Sequence, residues 1–443
     1  MNRATPAVHS TVDPANMLDH LPVSTRQTVI FALCFVLNMI DGMDVVVISY
    51  AVSGVMAEFD IGPVQMGGVF SAGLIGMAIG SLVLGSYADA LGRRALVISV
   101  VALIALAVIL GGLSRSVTQL LITRVIAGFG IGGLVAGVTA LTAEYAPVRI
   151  RNSILMMVTS GYPLGALLTG LISSWTIPEY GWRATMIGAG FLTAAMIVPC
   201  LLFLSESLSL LARKGGARAV GAINRQMQIM RHPPIGGIAP DFLEHNRKFR
   251  VGDLLNSTYR PISLRLWTGL ICTFMVMYYL LSWIPRIAFD SGLAPGNAIV
   301  AAAMFSGGGF IGVFMVGLLA DRIGYVRAIG LYCLAAFVMM LIYATYRGEL
   351  AVVLLLPVLM GFTVQGAVGA FFGAAARRLS CRDEIERHRL DDRRRTHWGD
   401  HRPLYRGNST GDRAAPAAQL SDLRDGDAGR CGDHVAAAKS HRH

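Results

Sequence analysis

Two stretches decide the fold: "GSYADALGRR" at residues 85–94 and "GLLADRIGYVR" at residues 317–327. Both read G-x-x-A-D-x-x-G with basic residues after, and Asp89 and Asp321 stand 232 residues apart. Each copy follows an apolar run, so the two occupy matching places in two homologous halves. The composition of the motif has a physical reason. Glycine lets two helices approach and turns the chain tightly, an aspartate caps a helix N-terminus, and arginines anchor at lipid headgroups. Gly92, Arg93 and Arg94 in the first copy, and Arg322 in the second, belong to this set.

Between and around these motifs the chain is dominated by apolar runs, and its mean hydropathy is +0.57. Ten spans are predicted, at about 27–50, 63–88, 94–113, 117–142, 152–175, 182–205, 264–289, 295–319, 325–346 and 350–375. Runs of ~20 apolar residues define an all-α membrane protein rather than a soluble core. The net charge of +11 lies between the runs. Arg93/Arg94, Arg149/Arg151, the long 206–263 loop and Arg322/Arg327 fall on one side, which the positive-inside rule makes cytoplasmic along with the N-terminus. The expected organisation is a cytoplasmic segment 1–26, a six-helix bundle 27–205, a basic cytoplasmic linker 206–263, four helices of a second bundle 264–376, and a polar tail 377–443. No small-residue cleavage pattern follows the first span, which reads as a retained helix. The six cysteines are scattered without metal-ligand or CxxC spacing. No phosphate-binding G-x-x-x-x-G-K loop and no hydrolytic triad or zinc spacing is present, so neither an enzyme nor an ATP-driven pump is expected, and no nucleic-acid partner or cofactor. Two pseudo-symmetric halves form a common transporter design, with the substrate site near the midplane.

The first span carries the oddity "NMIDGMDVVVISY" at 38–50, where Asp41 and Asp44 interrupt an apolar run. Three residues apart on a helix, they lie ~60° apart and share a face. An ionised carboxylate at mid-membrane costs ~2.5–3.5 kcal/mol on insertion scales, so it faces a cavity, takes a partner or binds a proton. Desolvation and a neighbouring like charge both favour a protonated carboxyl. A pair that loads protons on one side and releases them on the other is the element proton coupling requires. The competing reading makes Asp44 a structural cap or pair beside flexible Gly42. Arg124, early in span 4 before a glycine-rich stretch, cannot give up its charge and needs a carboxylate. Asp41 or Asp44 across a cavity would serve, and so would a fixed ion pair or a headgroup anchor at the helix end. Glu144, at the other end of the same span, joins Asp89, Arg93 and Arg94 in a charge network expected to lock one conformation.

These residues resemble the major facilitator superfamily. The loop motif occurs twice, "RVIAGFGIGG" at 124–133 looks like the fourth-helix R-x-x-x-G-x-G-x-G motif, and "SESLSLLARKG" at 205–215 resembles the segment that ends the sixth helix. Within it, the D-G-x-D of span 1, "GWRATM" and "SWIP" look most like the aromatic acid:proton symporters. The resemblance covers about residues 25–376 and implies two six-helix pseudo-repeats. It implies a multi-pass protein of the inner membrane, working by alternating access on the proton gradient with an organic anion of benzoate or hydroxybenzoate type. Asp41, Asp44 and Arg124 are then the coupling residues, with Tyr279 and Gln365 facing the substrate. Asp89, Gly92, Arg93, Arg94, Glu144, Asp321 and Arg322 are the gate. Tyr278, Trp283, Arg286 and Phe305 are further aromatic and cationic candidates, although Trp283 near a span end is also a typical interfacial residue and Gln365 equally suits helix packing. A carrier or exporter of another acid or a sugar is the rival in the same class; an inactive or non-transporting membrane protein is the rival outside it.

The tail departs from that pattern, which has twelve spans. Residues 377–443 hold no apolar run of span length. If the codons for "EIERHRLDDRRRTHWGDHRP" at 384–403 are read one base later, suitable codons encode RSSGIGWTIGVGRIGAIIGP, an apolar string similar to an eleventh helix of the family. The expectation is a change of frame near Ala376 to Leu379 that removes spans 11 and 12, with a disordered polar tail in their place.

Overall fold

A computed structural model of the chain describes residues 11–12, 18, 21–213, 216–238, 260–345 and 350–399, with side chains from 376 onward and those of 11, 12, 86, 88–91, 152, 217, 238, 317, 318, 321 and 350 outside the description. Backbone polar groups in a bilayer must be satisfied within the chain, and an apolar run of span length does so as a helix. The first bundle contains α1 (Thr25–Tyr50), short α2 (Val52–Phe59), α3 (Pro63–Leu91), α4 (Arg93–Gly112), α5 (Val117–Tyr145), α6 (Arg151–Thr159), α7 (Gly161–Ala195) and α8 (Ile197–Phe203). Ser24 and Gln27 close a capping box on α1, and Ser116 caps α5. Two short helices, α9 (Leu208–Arg213) and α10 (Gly216–Ile229), follow within the expected linker. Ala219, Ile223 and Met227 recur at i, i+4 and i+8 along α10 and are buried. The second bundle contains α11 (Arg260–Asp290), α12 (Pro295–Ile323), α13 (Tyr325–Thr345) and α14 (Leu350–Gly399). Thr11–Val12 pairs with Gly237–Ile238, which places the N-terminal segment and the linker at the same end of the molecule.

Among the described residues nine helical stretches are long and apolar enough to cross a membrane. One of them, Ser153–Phe203, has 51 residues, or ~75 Å at ~1.5 Å per residue, against a ~30 Å hydrocarbon core. It holds two of the ten expected spans, separated at Gly181, whose φ of 79° and ψ of 165° are not helical. Contacts with the start of the chain show the reversal. Tyr50 donates to the Ala166 carbonyl at 2.8 Å, Gly54 lies against Trp182, Thr193 reaches Asp44, and Leu202 receives Arg26. Along α7 and α8 the chain therefore follows α1 to its far end and returns.

The repeat read from two short motifs extends to backbone packing. In the first bundle Gly76 and Gly80 of α3 press on the carbonyls of Val125 and Phe129, while Gly128 of α5 presses on that of Gly73. In the second, Gly308 and Gly312 of α12 press on Val358 and Phe362, while Gly361 of α14 presses on Phe305. Every one of these positions is displaced by 232 or 233 residues from its counterpart. Small residues at a crossing are what lets membrane helices meet backbone to backbone. Gly92 (φ 100°) and Gly324 (φ 86°), also 232 apart, break the chain in the same way before α4 and α13. The pairs α1 and α11, α3 and α12, α4 and α13, and α5 and α14 thus correspond. The bundles meet where Val46, Tyr50 and Ala166 pack with Met277, Leu280, Ile284, Ala302 and Phe305.

Candidate functional site

Asp41 and Asp44 share a face of α1 as their spacing predicts, and they are 3% and 0% exposed. Gly42 between them admits α7, because a Cβ there would run into the Tyr162 carbonyl. That approach sets the buried Tyr162 hydroxyl, together with Tyr278 of α11, in the electrostatic neighbourhood of Asp41. The Asp44 carboxylate is met by the Thr193 hydroxyl, 3.2 Å from each oxygen, on the returning arm of α7. Arg124 of α5, 4% exposed, donates from Nη1 to the Asp44 backbone carbonyl at 3.3 Å. Its Nε and Nη2, and Oδ1 of Asp41, are buried without a hydrogen-bond partner among the described residues. Buried polar atoms in native proteins are almost always satisfied, so three such atoms in one cluster single it out as the candidate site.

A cavity of about 40 Å³ lies between the bundles, lined by Asp44 of α1, Phe70 and Met77 of α3, Arg124 of α5, and Tyr278 and Ser282 of α11. It has room for about three waters and is well below the ~300 Å³ of a small-molecule site. Trp283 of α11 packs edge-on against the cavity-lining Phe70 of α3, with ring centroids 5.5 Å apart.

The other predicted contacts separate. Tyr279 is 55% exposed and lines a groove of about 370 Å³ between α11, α13 and α14 with Met340, Tyr343 and Leu356, a lining that includes neither Asp44 nor Arg124. Its neighbour Tyr278 reaches the cavity instead. Gln365 is buried against Gly309. The corresponding positions in the first bundle are Gly132 and Met77, where Gly132 meets the Met77 backbone and the Met77 sulfur lies 3.6 Å from the Tyr278 hydroxyl. Arg286 pairs with Asp290 at 3.0 Å one turn along its own helix, and Phe305 is fully buried in the contact between bundles.

The gating set is partly assembled at the end that carries the N-terminus. Arg93 bonds Glu144 at 2.6 Å and the Ala140 carbonyl at 3.0 Å. Glu144 also accepts from the Ser207 hydroxyl at 2.9 Å and from the Ser209 backbone. Glu206 accepts from the Arg94 backbone at 3.3 Å, and its own carbonyl receives the Tyr145 hydroxyl at 2.7 Å. The positive φ of Gly92 favours glycine, and a Cβ there would stand 2.8 Å from a Glu206 carboxylate oxygen, which would have to shift. Arg94 reaches the Leu201 carbonyl at 2.6 Å. Glu206, Ser207 and Ser209 lie in the 205–215 segment that carries the resemblance but are not among the predicted gate residues; the signal for Glu206 is the polar "SES" at 205–207 ending an apolar run, 112 residues from Arg94. The side chains of Asp89 and Asp321 lie outside the described residues, and Arg322 is exposed at the end of α12.

A second network at the opposite end was not foreseen from the sequence. Arg183 bonds Glu58 at 2.7 Å and the carbonyls of Gly112 and Ser114, and Trp182 donates to Glu58 at 2.7 Å. The Arg183 hydrogen bond holds the Glu58 carboxyl below its ordinary range. This clamp ties α2, the α4–α5 turn and the point where α7 reverses. Among the described residues no cluster of three His, Cys, Asp or Glu side chains has the grouping to hold a metal.

Two repeats of one helix packing, enclosing a charged cluster midway between the bundles, define a multi-pass membrane transporter fold. The chain belongs to the Major Facilitator Superfamily, whose family profile matches residues 34–383. It is 30% identical to the 4-hydroxybenzoate transporter PcaK of Pseudomonas aeruginosa over 384 residues, covering 84% of this chain and 83% of that one. It is 29% identical to a gallate transporter of Pseudomonas putida over 327 residues, covering 72% and 71%. Among solved structures, the partially occluded inward-open xylose transporter XylE of E. coli superposes with a TM-score of 0.62 at 16% identity, covering 78% of this chain and 83% of that one. The relatives are transporters, which agrees with the non-enzymatic reading, and aromatic acid transporters in particular.

Proposed function

We propose that the protein imports an aromatic carboxylate of benzoate or hydroxybenzoate type together with protons, across the inner membrane, by alternating access with the N-terminus in the cytoplasm. The observation that carries this reading is Arg124. One nitrogen is held by the Asp44 backbone, and the unpartnered Nε and Nη2 form the fork that receives a carboxylate through two parallel bonds. Tyr278, which lines the same cavity, supplies a ring against which an aromatic body packs. Asp41 and Asp44 exchange the protons, and the Arg93–Glu144–Ser207 network holds the N-terminal end of the first bundle while the site is open to one side. The names of the relatives support the substrate class, and the basic loops support the orientation.

The test is uptake of labelled 4-hydroxybenzoate and benzoate by cells producing the protein, with and without an uncoupler. Uptake that the uncoupler abolishes and that Arg124→Gln lacks supports the proposal. Uptake indifferent to the uncoupler removes the proton coupling, and transport of neutral sugars in preference to either acid removes the substrate class.

A further inference from the structure

Among the described residues eight buried side-chain polar atoms have no hydrogen-bond partner, and four of them gather around one turn of α1. Two are Nε and Nη2 of Arg124, beside Asp44; the other two are Oδ1 of Asp41 and the Tyr162 hydroxyl. Gly42 brings this second pair into one neighbourhood by letting the Tyr162 backbone touch α1, and the two groups lie within electrostatic reach of each other. The contrast with Asp44 is direct. Both of its carboxylate oxygens are met by Thr193, whereas Oδ1 of Asp41, one turn away, is met by nothing. Buried carboxyl and hydroxyl oxygens are nearly always bonded, so a bare pair marks a second polar subsite beside the Arg124 fork.

Tyr278 approaches the same place from the second bundle and also senses Asp41. Its ring stacks on Phe274 with centroids 6.0 Å apart, and its hydroxyl donates to the Met77 sulfur at 3.6 Å. A thioether is a weak acceptor, and an oxygen brought to that position is a better one. Three hydrogen-bonding groups, from α1, α7 and α11, thus converge one turn from the carboxylate-binding donors.

We infer that Asp41, Tyr162 and Tyr278 form a hydroxyl-recognising subsite, separate from the Arg124 fork, and that it makes the protein selective for aromatic acids carrying a para-hydroxyl over benzoate itself. The spacing fixes the position of that hydroxyl. Side chains three apart on a helix stand ~5–6 Å from each other, which matches the span from the carboxylate to the para oxygen of 4-hydroxybenzoate. An ortho oxygen lies beside the carboxylate and falls well short of Asp41. A para-hydroxyl donates to Asp41 and accepts from Tyr162, satisfying both bare atoms; benzoate leaves both unmet, and a site built to bond a hydroxyl discriminates against the analogue that lacks one. The inference rests on the proposed carboxylate site at Arg124 and adds which part of the substrate meets α7 and α11.

The test is equilibrium binding of 4-hydroxybenzoate, 2-hydroxybenzoate and benzoate to the purified native chain, Tyr162→Phe and Tyr278→Phe, with the melting temperature of each. The native chain is expected to bind 4-hydroxybenzoate at least about tenfold more tightly than the other two acids. Tyr162→Phe should remove that preference by weakening 4-hydroxybenzoate alone, with benzoate binding unchanged as the control for folding. Tyr278→Phe should narrow the preference in the same way, and it decides the matter if Tyr162→Phe does not fold. A native chain without the preference overturns the inference and leaves the Arg124 reading standing. So does a preference that survives both substitutions, an equal gain for 2-hydroxybenzoate, or equal weakening of all three acids in variants that melt as the native chain does, which is the result a purely structural role of the tyrosines gives. Failure of the native chain to bind any of the three removes the Arg124 reading and the subsite with it.

Discussion

Arg124 donates to the backbone carbonyl of Asp44 at 3.3 Å, while the carboxylate of the same residue is engaged by Thr193. The cation and the acid are thus held beside each other by different atoms, and the cation keeps two buried donors without a partner among the described residues. Replacing Arg124 by Gln removes both charge and fork. Charge-assisted hydrogen bonds contribute ~1.5–3 kcal/mol, so affinity for 4-hydroxybenzoate should fall ~10–100-fold. Arg124→Lys should recover little of it, because an ammonium is a point charge and not a planar fork. Equilibrium binding to the purified protein measures both.

Thr193 positions the Asp44 carboxylate from the opposite side. Thr193→Val keeps the shape and removes the donor, leaving a buried carboxylate short of a bond at a cost of ~1–3 kcal/mol. The expected result is impaired uptake with a raised KM, and a normal KM in Thr193→Ser. Equal behaviour of the two variants would show that the hydroxyl bond to Asp44 is not used.

Gly92 and Gly324 occupy the same place in the repeat with different surroundings. Alanine at either carries the backbone cost of a region almost reserved for glycine, ~1–3 kcal/mol. At Gly92 the new Cβ also meets the Glu206 carboxylate, whereas at Gly324 nothing lies within 4 Å. Gly92→Ala should therefore lower the melting temperature more than Gly324→Ala, and a further Glu206→Ala change should narrow the gap.

The Glu58 clamp predicts a pH effect at the end opposite the N-terminus. Its carboxyl is held below the ordinary value by Arg183, so the folded state binds this proton more weakly than the unfolded chain does. The contribution is complete above ~pH 4.3 and is lost as pH falls through the depressed value. With Glu58 43% exposed, the pair is worth ~0.2–1 kcal/mol. Glu58→Gln should lower the melting temperature slightly at neutral pH, and the difference from the native chain should shrink in acid.

How much was legible follows from where each signal resides. Apolar run length and the repeated loop motif are local, so span positions and the two-half architecture could be read directly; even the fused α7 stretch divides where Gly181 separates two predicted spans. The Asp41 and Asp44 face is likewise a matter of helical phase. Partners across helices are not local. Nothing in the sequence distinguishes Tyr278 from Tyr279, because adjacent residues on a helix differ by ~100° and only the packing of α11 decides which one faces the first bundle. Thr193 and Glu206 reach their partners through the return of α7, across 149 and 112 residues. Gln365, polar in an apolar helix, suits a site or a packing contact equally in sequence, and only the crossing of α12 and α14 shows it lying against Gly309.

The most direct test of the central claim is proton movement driven by substrate. In proteoliposomes containing the protein and an internal pH dye, external 4-hydroxybenzoate should acidify the lumen in step with its own accumulation, and Asp41→Asn should abolish the acidification. Accumulation of the acid without acidification, or acidification unchanged in Asp41→Asn, would contradict proton coupling through the carboxylate pair on α1.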